Sequence, residues 1–128
     1  MTELQQSHVQ VTSWQQSGFA ATWRDVCPVE RLLPGRGVAA LFGDVQVAVF
    51  RTADDRVHAL GNIDPFSGAA VLSRGITGDR GGVPTVASPV HKQAFSLVDG
   101  RCLDDPGVAV PVYPTRTCDG TVQVGLPW

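Results

Sequence analysis

Val45, Val47 and Val49 fall on one face of an extended segment, and Gln46, Ala48 and Phe50 fall on the other. A period of two predicts a strand, and apolar residues on both sides predict that both faces are partly covered. Residues 38–42 precede it across Gly43-Asp44. Two β-prone runs flanking a Gly-containing pair form a hairpin signal, because glycine supplies the positive φ that such turns demand. Asp54-Asp55 marks the next turn, and residues 57–60 supply a third strand, completing a meander. Ahead of it, residues 22–27 read as a short strand with Trp23, Val26 and Cys27 inward. A loop then runs from Pro28 and Glu30 to Leu32-Leu33-Pro34-Gly35. The extended pattern returns at residues 84–88 and 94–97, turns at Asp99-Gly100, and continues through 108–110 and 112–116. A last hairpin turns at Asp119-Gly120 into residues 122–124. No window sustains apolar residues at i, i+3, i+4 and i+7, so no helix is predicted and the fold class is all-β.

Two stretches break this pattern. Residues 1–18 are rich in Gln, Ser and Thr and read as a flexible polar tail with a lone aromatic, Trp14; the domain proper is then 19–128. Residues 61–84 are dominated by Gly, Asp, Pro and small side chains, and read as loops with very short strands. A long, glycine-punctuated segment inside a compact domain points to function.

Composition narrows the classes. The chain has 128 residues, 43% of them hydrophobic and 17% charged, which fits one globular domain with a real core. A formal net charge of −2 offers no basic face to the phosphates of nucleic acid. No apolar run approaches the roughly 20 residues needed to span a bilayer, and the polar start shows no signal core, so neither membrane nor export is expected and the location is cytoplasmic. Cys27, Cys102 and Cys118 are odd in number and widely spaced, a poor disulfide framework, and three thiols are expected. No nucleophile–base set can be assembled, and Gly75-Ile76-Thr77-Gly78 lacks the lysine of a phosphate loop. No catalytic residue is expected in this chain.

The informative motif lies in two loops. The first reads Asn62-Ile63-Asp64-Pro65-Phe66-Ser67-Gly68-Ala69-Ala70-Val71-Leu72, and the second reads Ser88-Pro89-Val90-His91-Lys92-Gln93-Ala94-Phe95-Ser96-Leu97 before Asp99-Gly100. This frame resembles the Rieske domains. Their [2Fe–2S] cluster is held by Cys-x-His in one loop and Cys-x-x-His in a second, so that two thiolates hold one iron and two imidazoles the other. The frame fits and the ligands do not. Asp64 stands at the first cysteine, Phe66 at the first histidine and Ser88 at the second cysteine; only His91 is a ligand type. Carboxylate and hydroxyl are hard oxygen donors where the iron–sulfur unit selects soft thiolate, so no cluster is expected in the degenerate loops, about 61–84 and 88–94.

A Rieske-like domain without ligands is similar to the small subunits of bacterial assimilatory NADH-dependent nitrite reductases. Those carry Ser-Pro-x-x-Lys-Gln-x-Phe-x-Leu-x-Asp-Gly-x-Cys, matched here from Ser88 to Cys102, with further likeness at Trp23-Arg24-Asp25-Val26-Cys27 and at residues 111–116. The likeness covers roughly residues 20 to 126. It implies a stacked antiparallel fold with a loop-rich subdomain. It also implies a complex that reduces nitrite to ammonia with NADH, whose large subunit carries FAD, a [4Fe–4S] cluster and sirohaem. This chain would be its non-catalytic small subunit, which stabilises or orients the large one through the two loops. Asp64, Phe66, Ser88, His91, Lys92 and Gln93 are the candidate partner contacts. Two alternatives stand beside this: a free-standing binding module on the same scaffold, and an electron-carrying ferredoxin, which requires ligands that the loops lack. Phe66 is expected to be buried in part of the volume that a cluster would fill. Asp64 is expected to be a solvated loop carboxylate, or else to pair with Lys92 or Arg74. Trp23 and Phe95 are expected in the core.

Overall fold

The computed structural model describes residues 10–11 and 22–127. In chain order the strands are β1 (Gln10–Val11), β2 (Thr22–Pro28), β3 (Gly37–Phe42), β4 (Val45–Arg51), β5 (Val57–Gly61), β6 (Ile76–Arg80), β7 (Val83–Ala87), β8 (Ala94–Ser96), β9 (Val112–Tyr113), β10 (Thr115–Cys118) and β11 (Thr121–Leu126). The helical content among the described residues is two short 3-10 turns, Val29–Arg31 and Leu72–Arg74. None of these is long and apolar enough to cross a membrane.

The strands form three antiparallel sheets, ordered β1-β10-β11-β2, β3-β4-β5-β9 and β6-β7-β8. The period-two reading of β4 explains how they stack. Val47 and Val49 enter one core with Leu32, Val57, Ala59, Val122, Val124 and Leu126, between the first and second sheets. Ala48 and Phe50 enter the other with Leu60, Leu72, Val86, Phe95, Leu97 and Cys102, between the second and third. The middle sheet is thus covered on both faces, and residues 47 to 50 are all fully buried. Gly43 takes a φ of +60 at the first position of the β3–β4 turn, as its place in the sequence demands.

Several expected elements differ. Residues 112–116 do not form one strand. Pro114 has no N–H to give a ladder, and the chain changes sheet there: β9 pairs with β5, and β10 pairs with β11. Residues 108–110 form no strand, only a single bridge from Ala109 to Arg101. Within the expected loop 61–84, β6 pairs in full with β7. Trp23 is half-buried rather than in the core, with the Arg116 guanidinium 4.4 Å above its ring; Phe95 is fully buried. Within the expected tail, Gln10–Val11 pairs with β10; Trp14, the rest of that segment and Trp128 lie outside the described residues. All three cysteines are free.

Candidate functional site

The two loops of the motif leave the middle and third sheets side by side. The first begins at the end of β5, where Asn62 fixes its base. The Asn62 amide N–H donates to the Gln46 carbonyl at 2.9 Å, and its carbonyl accepts from Leu72 N–H at 3.0 Å. Its side-chain Oδ1 accepts from Ser73 N–H at 2.7 Å. Asn62 was not singled out by sequence reasoning; an Asn beside a turn carries no signal of a partner 11 residues away. The second loop connects β7 to β8. It is a tight turn in which Ser88 N–H donates to the Gln93 carbonyl and Lys92 N–H to the Ser88 carbonyl. Lys92 takes a φ of +65 to complete it.

Asp64 and Ser88 meet across the loops. Ser88 Oγ donates to Asp64 Oδ2 at 2.6 Å, and the two residues are 0% and 1% exposed. Asp64 Oδ1 also accepts from Phe66 N–H at 2.8 Å, and Ser88 Oγ accepts from Val90 N–H at 3.2 Å. Burial would raise the Asp64 carboxyl. Hydrogen bonds from the Ser88 hydroxyl, the Phe66 amide and Ser67 outweigh it and hold the group below the ordinary aspartate value. The expected solvated carboxylate is therefore corrected: Asp64 is buried. It pairs with neither Lys92 nor Arg74, both of which are exposed. Burial also takes Asp64 and Ser88 out of the set of side chains able to touch a partner.

Phe66 turns inward. It is half-buried, packs on the core beneath the loops, and lies 6.2 Å from Phe95 between ring centroids, at a tilt of 48°. His91 and Lys92 point to solvent, while Gln93 is half-buried with its Oε1 enclosed and unpartnered. Ile63 and Val90, 45% and 46% exposed, form an apolar rim with the exposed Pro65 and Pro89. That rim was missed, because single apolar residues in a Pro-rich loop look the same whether they pack inward or outward.

The residues present do not fit a [2Fe–2S] cluster. The two thiolate positions hold a carboxylate and a hydroxyl already committed to each other, and one imidazole position holds a phenyl ring packed on the core. No group of three or more His, Cys, Asp or Glu among the described residues is placed to hold a metal ion. Cys102 is fully buried, while Cys27 and Cys118 belong to the first sheet.

Comparison with known proteins bears on the same loops. Residues 22–125 match the model of the Rieske-like [2Fe–2S] domain family. The chain is 48% identical over 103 residues to the nitrite reductase (NADH) small subunit of Escherichia coli K12, covering 80% of this chain and 95% of that protein. A crystal structure assigned as an NADH-dependent nitrite reductase small subunit from Mycobacterium tuberculosis superposes with a TM-score of 0.81 at 59% identity, covering 84% of this chain and 96% of that one. The nitrite reductase [NAD(P)H] large subunit of Klebsiella oxytoca contains a stretch 43% identical over 103 residues, covering 80% of this chain and 11% of that protein.

Proposed function

The chain belongs to the Rieske-like [2Fe–2S] domain family and, within it, to the small subunits of NADH nitrite reductase, and from that premise we propose that it is a non-catalytic subunit that binds and stabilises or orients a large reductase subunit. The reaction of the complex would be the NADH-dependent reduction of nitrite to ammonia in the cytoplasm, in nitrate assimilation. FAD, a [4Fe–4S] cluster and sirohaem would reside on the large subunit, and this chain would carry no redox centre.

The observation that carries this reading is the Klebsiella protein. There a domain 43% identical to this one is part of the large subunit's own polypeptide. A domain that is covalently joined to its partner in one organism and separate in another is expected to sit against that partner in both. The site supports the non-catalytic half of the reading, since the Asp64 and Ser88 oxygens at the two thiolate positions are committed to each other and to their own loops. The apolar rim at the loop tips supports association, with His91 and Lys92 at its margin.

The test is co-purification with the cognate large subunit, combined with nitrite-dependent NADH oxidation measured with and without this chain. Stable association, with activity or enzyme lifetime falling when the chain is left out, is expected. A chain that fails to associate is instead a free-standing binding module. Purified chain carrying stoichiometric iron and sulfide is a ferredoxin.

A further inference from the structure

Asp64 and Ser88 stand where two thiolates would grip one iron atom, and in this chain they grip each other at 2.6 Å. Each also organises its own loop. The Asp64 carboxylate takes the Phe66 amide, and the Ser88 hydroxyl takes the Val90 amide. The bond between them therefore joins two turns that are already built. The pair is sealed from solvent at 0% and 1% exposure, where a hydrogen bond to a charge is stronger than in water and leaving the charge short of donors is costly. Ile63, Pro65, Pro89 and Val90 all lie within two residues of this pair and face outward.

We infer that the Asp64–Ser88 hydrogen bond is a latch that does with a proton what iron does in cluster-bearing relatives: it closes the two loops and so positions Ile63, Pro65, Pro89 and Val90 as one docking face for the large subunit. This rests on the subunit reading above for its partner, while the latch itself is a property of the isolated chain. Asp64 and Ser88 are positioning residues, too enclosed to touch the partner themselves. Closure by this pair needs neither metal nor electron, so the docking face has the same shape in oxidising and reducing conditions.

The test compares wild type, Ser88→Ala and Ser88→Thr, the last keeping the hydroxyl. Amide hydrogen exchange is followed in the isolated chain, and affinity is measured for the purified large subunit. In Ser88→Ala the amides of Phe66 and Val90 should exchange about tenfold faster or more, while Val49 and Val124 in the strands stay within about twofold, which shows that the domain remains folded. Affinity for the large subunit should fall by about tenfold, and Ser88→Thr should restore part of both. A metal chelator should leave the wild-type loops unchanged. Unaltered loop exchange in Ser88→Ala, looser loops without loss of affinity, or loops loosened by chelator would each overturn the latch. A wild-type chain that does not bind the large subunit would overturn the subunit reading instead, and the exchange rates would still decide the latch.

Discussion

Burial works against a charge on Asp64, and its donors win. The sign of the resulting pH dependence follows. The folded-state pKa lies below the ordinary 3.8, so the stabilisation is complete above that value and is lost as pH falls through the folded value. His58 adds a second acid-sensitive group higher up. Burial pushes its imidazole below the ordinary 6.5, against the nearby Asp54 carboxylate, and its Nε2 is enclosed without a partner. Because the folded state refuses the proton, stability is complete above 6.5 and falls as pH drops from there towards the folded value. Denaturant midpoints should therefore decline in two stages on acidification. His58→Phe should flatten the upper stage and Ser88→Ala should shrink the lower. Phe66→Ala, by removing a half-buried ring from the core, should cost about 1–3 kcal/mol in urea unfolding, less than the roughly 3–5 kcal/mol of a fully enclosed Phe. An unchanged melting temperature would show that the ring does not pack inward. At this scale the sequence told half the story. The replaced ligand types were visible at Asp64, Phe66 and Ser88. The bond between Asp64 and Ser88 was not, because a contact across 24 residues leaves no local pattern.

Elements were legible where they had something to bury. The alternation in β4 and its hairpin with β3 could be read directly, because each apolar position has a core to enter. By contrast β6 has Ile76 as its one large apolar residue, 77% exposed, so the strand exists through pairing with β7 and has no burial pattern to announce it. The break at Pro114 was legible in principle, since a proline inside a strand run argues against continuity. The turn at Gly100 offers a sharp test. Its φ is +79, and an added Cβ would lie 2.2 Å from the Val110 carbonyl oxygen. Gly100→Ala should destabilise the domain by about 3 kcal/mol or more, or prevent folding. Gly43→Ala, whose Cβ meets nothing within 4 Å, should cost only the strain of its positive φ, and the two melting temperatures compare them directly.

For the whole molecule, the double covering of the middle sheet sets the cooperativity. β4 contributes Val47 and Val49 to one core and Ala48 and Phe50 to the other, so neither core can dissolve without exposing a strand that the other needs. Unfolding in urea should accordingly be a single transition, with the amide signals of Val86 in the third sheet and Val124 in the first sharing one midpoint. Two separated midpoints would show that the layers are independent. The recurring short extended runs pointed to an all-β fold, and the family resemblance implied that its sheets are stacked, but the assignment of residues to one core or the other depends on which sheets lie against each face of β4, which no stretch of sequence states.

The change of sheet at Pro114 adds a covalent tie to that packing. One residue after it, Thr115 starts a strand of the first sheet; one residue before it, Tyr113 ends a strand of the second. Tension applied through β11 would pass along β10 to this seam, where the load goes straight into β9 and its pairing with β5 with no slack loop to absorb it. Under mechanical pull, or in the mouth of an unfolding protease that engages from that end, the domain should resist as one body and then give way at once.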